Sequence, residues 1–198
     1  MKRRIWPWLV AGGGVSALGV LGAVAIQKAK ASTTLPFGGP GMPKVLPLEG
    51  TFNFGHVLVE KMKSLLGIPY IWGGKSPENG LDCSGAITYT MAQLNLVPKS
   101  FPGSTNSQTL YKMSKPIAAA EVKAGDLAFY GSTGLFGLFP SVSHVMMATG
   151  DGKLIGSSGG GPSTTSLEIA KQQNAKVKIL PSTYRAGLVG YGRLPMVA

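Results

Sequence analysis

The first strong pattern along the chain is an apolar run without a single charge, residues 5–26, set behind Lys2, Arg3 and Arg4. At roughly 1.5 Å per residue in a helix, such a run covers the roughly 30 Å of a hydrocarbon core. Residues 1–4 therefore read as a basic cytoplasmic N-terminus, and 5–28 as a transmembrane anchor or signal sequence. Over 29–49 the pattern breaks up: Pro36, Gly38, Gly39, Pro40, Gly41, Pro43 and Pro47 predict an extended Pro/Gly-rich linker. From residue 50 to 198 the pattern is that of a folded domain. Leu58, Met62 and Leu65 recur at helical spacing over 54–66, and Gly67 stops that helix. Ile87, Met91 and Leu94 mark one face of a second helix over 84–95. Beyond Gly125 the period shortens to that of strands, at 126–130, 144–149, 153–156, 176–180 and 188–194, with Gly150-Asp151-Gly152 as a hairpin turn. Helices followed by hairpin-linked strands predict an α+β domain with helices packed on an antiparallel β-sheet.

Composition changes this picture little. A chain of 198 residues with 44% apolar content suits one domain plus an appendage. The formal charge of +11 is concentrated at the start, where residues 1–44 hold six basic and no acidic side chains. The remaining basic residues are scattered without a stripe of interleaved aromatics, which argues against nucleic acid as a partner. A modest attraction to polyanions such as wall polymers or anionic lipid is enough for such a surface.

Candidate chemistry centres on Cys83, the one cysteine in the chain, which has no partner for a disulfide. It sits in Leu81-Asp82-Cys83-Ser84-Gly85, at the start of the second helix. There the helix-end amides and dipole are expected to lower the thiol pKa and to receive an oxyanion. Taken alone, a cysteine before a helix is more commonly a small buried hydrophobe. His144 lies downstream on a strand, sharing a face with Met146 and Ala148, and is expected at the edge of the sheet. A thiol and an imidazole are the minimum equipment for nucleophilic acyl transfer. His56, the other histidine, falls on the first helix outside any motif. The chain has no His-Glu-x-x-His and no cysteine cluster, and Gly159-Gly160-Gly161 runs into Pro162 instead of a phosphate-binding Lys-Ser, so neither a metal nor a cofactor is implied.

Four motifs in order carry a family resemblance: Pro69-Tyr70-Ile71-Trp72-Gly73-Gly74, then Asp82-Cys83-Ser84-Gly85, then Ala124-Gly125-Asp126-Leu127-Ala128-Phe129, then Ser143-His144-Val145 before an apolar strand and Gly-Asp-Gly. Over roughly residues 53–195 the chain resembles the NlpC/P60 family of cell-wall cysteine peptidases. The resemblance implies a papain-like α+β fold and hydrolysis of an amide bond in the peptidoglycan stem peptide, commonly between D-γ-glutamate and a diamino acid. It implies Cys83 as nucleophile and His144 as base, with Tyr70 beside the nucleophile for oxyanion or substrate, and Asp82 and Ser84 contacting the substrate's free amine. Trp72 reads as a packing anchor. Asp82 also suits a helix cap, with no substrate required.

One position departs from the pattern. In the family a third polar side chain, often histidine, orients the catalytic imidazole from the next strand, and here that position is Gly156. Ser158, two residues on and on the same strand face, is the candidate replacement; Asn174 or an ordered water are others. The apolar, Gly-rich stretch 131–140 suggests a cleft wall, a membrane contact or core packing. Three readings compete: a peptidoglycan endopeptidase in bacterial wall remodelling or bacteriophage wall penetration, an amidase or acyl transferase on the same scaffold, and a non-catalytic wall-binding or virion structural module. All place the domain outside the cytoplasm, anchored through the N-terminal helix or secreted, and leave the oligomeric state open.

Overall fold

The computed structural model describes residues 54–134 and 140–195; the expected membrane segment, the linker and residues 135–139 of the apolar insertion lie outside them. Among the described residues no helix is long and apolar enough to cross a membrane.

Helix α1 (Phe54–Lys63) places Leu58, Val59 and Met62 on its buried side, as the spacing predicts. A two-stranded hairpin, β1 (Lys75–Ser76) and β2 (Gly80–Leu81), leads into α2 (Cys83–Gln93), of which all but two residues are buried. After a 3-10 turn at Phe101–Ser104 comes α3 (Ser107–Met113), capped by the Asn106 side chain on the Thr109 amide. The main sheet is then built from β3 (Lys115–Ile117), β4 (Leu127–Ser132), β5 (Ser141–Ala148), β6 (Lys153–Ser158), β7 (Lys176–Pro181) and β8 (Leu188–Arg193), with α4 (Leu167–Gln172) between β6 and β7. Its order is β3-β8-β4-β5-β6-β7, every pair antiparallel.

Helices α1, α2 and α3 pack on one face of this sheet, where Leu58, Met62, Ile87 and Met91 meet Leu127, Phe129, Val145, Met147 and Ile155. Each such side chain, when fully buried, contributes about 1.5–3 kcal/mol. The opposite face holds a smaller cluster of Ala128, Tyr130, Met146, Ala148 and Leu154 under Tyr184 and Tyr191. Asp126, fully buried at the head of β4, takes two hydrogen bonds from Arg193 (2.7 and 2.8 Å), which ties the last strand to the turn that begins the sheet's centre.

Two sequence expectations shift. The strand that carries His144 starts three residues earlier than its apolar run, at Ser141, and lies between β4 and β6, so His144 is not at a sheet edge. The expected α+β architecture is present, with two short helices, α3 and α4, that periodicity did not indicate.

Candidate active site

The site begins with a helix cap. Asp82 has extended backbone and accepts the Gly85 amide on Oδ1 at 2.6 Å, which makes Cys83 the first residue of α2. The Asp82 amide donates to the Gly74 carbonyl at 3.0 Å, and a Cβ on Gly85 would collide with that same carbonyl oxygen. The glycines of the first two motifs thus touch, and they press the Tyr70–Gly74 loop against the nucleophile's helix.

Between them opens a cavity of about 440 Å³ lined by Tyr70, Trp72, Lys75, Asp82, Cys83 and Ser84, closed by the Gly103–Ser107 turn and by Ser143. The structure therefore brings Cys83, Tyr70, Asp82 and Ser84 together on one cavity. Trp72 is a correction, since it is 49% exposed at the cavity rim instead of packed.

The thiol is also a correction. Cys83 is only 5% exposed, and its pKa is pushed up to about 11, chiefly by burial and next by the Asp82 carboxylate. The backbone amides of Val145 and Ser84 and the Lys75 ammonium pull the other way and lose. A helix terminus contributes about 0.3–1 kcal/mol, up to about 2, whereas burial alone shifts an ionisable group by as much as 3–5 pKa units. The same burial, followed by the neighbouring thiol and Asp82, holds the Tyr70 phenol far above its ordinary value, so it stays a proton donor. Tyr70 is fixed by its amide to the Ala175 carbonyl (3.0 Å) and by packing on Ala170 and Ala175.

A β-bulge sets the imidazole. Tyr130 pairs with His144 while Gly131 pairs with Val142, so Ser143 is the extra residue. Ser143 faces the cavity, and the His144 ring joins Tyr130 (centroids 6.0 Å apart) and Tyr184 (6.4 Å). The next amide, that of Val145, is the one aimed at the Cys83 sulfur. Burial, then the Arg185 guanidinium, pushes the His144 pKa down to about 3, so the ring is neutral at physiological pH. Arg185 itself lies over Tyr130, 5.4 Å from the ring centroid.

His144 Nε2 is buried with no hydrogen-bond partner, and so is the Tyr184 hydroxyl. Ser158 is buried but does not bond the imidazole. The reason lies in the strands: β5 and β6 pair at Met147–Ile155 and Ala148–Leu154 only, and beyond that β6 follows β7, with Ser158 opposite Lys176. Asn174 takes the left-handed turn after α4 (φ 49°) and supplies no bond to His144 either. At Gly156 the missing side chain is replaced by a neighbour, because a Cβ there would lie 2.9 Å from Met146 Sδ. Ser158 instead faces Tyr184, whose pKa is raised by burial against the opposing pull of the Ser158 hydroxyl and Arg185.

Asp82 and Ser84, expected to be open to a substrate amine, are already engaged. Lys75 Nζ donates to Asp82 Oδ2 (3.1 Å) and Oδ1 (3.3 Å), to Ser84 Oγ (2.9 Å) and to the Thr105 carbonyl (3.1 Å). Lys75, Thr105 and Tyr184 are the site neighbours that sequence reasoning missed. A cation directly after Gly73-Gly74 was the one visible signal, for Lys75. Among the described residues no group of His, Cys, Asp and Glu is arranged to hold a metal.

The NlpC/P60 family profile matches residues 67–180. The bifunctional muramidase/DL-endopeptidase CwlT of Bacillus subtilis is 29% identical over 151 residues, 76% of this chain and 40% of that protein. The murein DD-endopeptidase MepH of Escherichia coli is 36% identical over 99 residues, 50% of this chain and 34% of that protein. The chain thus spans less than half the length of either relative. Among solved structures, the peptidoglycan hydrolase RipB of Mycobacterium tuberculosis superposes with a TM-score of 0.52 at 26% identity, covering 81% of this chain and 74% of that one.

Proposed function

The chain belongs to the NlpC/P60 family, and on that premise we propose that it is a peptidoglycan hydrolase that cleaves an amide bond of the stem peptide, with Cys83 as nucleophile and His144 as base. The observation that carries this reading is the position of Cys83: at the first turn of α2, on a cavity shared with Tyr70, with the amide that follows His144 directed at its sulfur. Both groups are neutral at rest, so the thiol proton passes to His144 as the sulfur attacks the carbonyl. The S–C bond forms, the amide nitrogen leaves with the proton from His144, and water then hydrolyses the thioester. Of the first-turn amides, Gly85's is taken by Asp82 and Ser84's faces the sulfur, which leaves the Cys83 amide and the Tyr70 hydroxyl to receive the oxyanion. For the missing third residue we propose Tyr184, whose ring packs on His144 with centroids 6.4 Å apart and whose unbonded hydroxyl shares the cluster with the unbonded Nε2.

The relatives' names, a DL-endopeptidase and a DD-endopeptidase, point to different bonds. We favour the D-γ-glutamyl–diamino acid bond, on the motif set. The same proposal includes the basic N-terminus 1–4, the membrane or signal segment 5–28, the linker 29–49 and the domain 50–198, an extracytoplasmic setting, and action in wall remodelling or phage entry.

The test is incubation of the full chain and its Cys83→Ala variant with purified peptidoglycan fragments, with products identified by mass. Cleavage of a stem-peptide amide by the unsubstituted chain alone is expected. A second reading, a non-catalytic wall-binding module, is favoured by the thiol that stays protonated to about 11 and by the unpartnered Nε2. Fragments bound but uncleaved by both proteins would establish it.

A further inference from the structure

The cavity beside the thiol carries its own ammonium group. Lys75 reaches it from β1, part-buried, and its three N–H bonds are met by the Asp82 carboxylate, the Ser84 hydroxyl and the Thr105 carbonyl. Asp82 Oδ1 also accepts the Gly85 amide at 2.6 Å and the Ser84 hydroxyl at 2.8 Å, so Lys75 sits in a preformed ring of side-chain and backbone bonds. An ammonium group arriving on a substrate finds Asp82 and Ser84 already held by another ammonium, and meets that like charge in a part-buried site where the repulsion is weakly screened. An amide-capped N-terminus brings no charge and needs no carboxylate.

We propose that Lys75 is the specificity-determining residue of this site: it occupies the place of a substrate's free amine and restricts the cavity to stem peptides whose N-terminus is acylated, as it is in the intact wall polymer. The proposal rests on the peptidoglycan reading above. Lys75 thereby separates a protein that works on standing wall from one that trims released, free-amine peptides.

The test is equilibrium binding of L-alanyl-γ-D-glutamyl-L-lysine and of its N-acetylated form, first to the Cys83→Ala chain and then to Cys83→Ala/Lys75→Met and Cys83→Ala/Lys75→Arg. The expected result with Lys75 present is binding of the acetylated peptide at least about tenfold tighter, a preference kept by arginine and lost or reversed by methionine. Equal or tighter binding of the free-amine peptide while Lys75 is present would overturn the proposal, and that comparison needs no substitution at Lys75. A preference unchanged in a folded Lys75→Met protein would equally overturn it. Binding of neither peptide would remove the proposal together with its substrate. A clear preference for the acetylated peptide without cleavage by the Cys83-bearing chain would support the specificity while sinking the hydrolase reading alone.

Discussion

At the scale of single residues, the site is governed by competition between burial and local fields. Cys83 has a helix terminus, two amides and a nearby ammonium in favour of the thiolate, yet burial and Asp82 outweigh them. His144 is driven neutral by the same cause. Its Nε2 and the Tyr184 hydroxyl are two buried polar atoms without partners in one aromatic cluster, and an unmade hydrogen bond costs about 1–3 kcal/mol for each group left alone. A bond between them, direct or through one water, removes both costs and fixes the ring. Tyr184→Phe removes the hydroxyl and keeps the packing. A lost hydrogen bond of about 1.4 kcal/mol corresponds to about a tenfold fall in kcat. KM should stay unchanged, the melting temperature should fall slightly as Nε2 is left alone, and the acid limb of the kcat profile should move to lower pH, because the imidazolium loses an acceptor. An unaltered kcat and profile would take Tyr184 out of the positioning role.

At the scale of elements, a side chain of β5 occupies the space beside a glycine of β6. Met146 Sδ fills the space beside Gly156 where the family's third residue projects. Gly156→His alone must therefore displace a buried thioether, and we expect a lower melting temperature, with overpacking costing about 1–3 kcal/mol. Met146→Gly/Gly156→His empties that space for the new ring and should recover the melting temperature while raising turnover. A double variant no more active than the unsubstituted chain would show that His144 is already oriented. Much of this layer was legible in sequence. The helical period of Leu58 and Met62, and the strand runs before and after Gly150-Asp151-Gly152, gave α1, α2 and the sheet strands from β4 to β8 to within a few residues. Helices α3 and α4, at seven and six residues, are too short to show a period, and only their caps Asn106 and Ser166 hint at them. The bulge at Ser143 shifts the face on which a two-residue count places its neighbours, and Tyr184 reaches the imidazole through the β7–β8 connection, with no local motif to mark it.

At the scale of the whole molecule, the candidate base is also a liability in acid. His144 sits on a central strand, faced by Tyr130, Tyr184 and the Arg185 guanidinium, none of which welcomes a second positive charge. Its folded pKa of about 3 lies below the ordinary 6.5, so between those values the unfolded chain takes up a proton that the folded one refuses. The contribution of this group to stability is complete above pH 6.5 and is lost as pH falls toward 3, at a slope of up to about 1.4 kcal/mol per pH unit. Other groups titrate over the same range, so the comparison must isolate the imidazole. Denaturant midpoints of the full chain and of His144→Gln, measured from pH 7 to pH 4, should converge as pH falls, because the variant has no proton to bind. Parallel curves would mean that the folded protein accepts the proton on His144, through movement of Arg185 or entry of water. The imidazole would then be chargeable within the fold, and the concerted transfer from a neutral thiol to a neutral base would give way to an ion pair formed before substrate arrives.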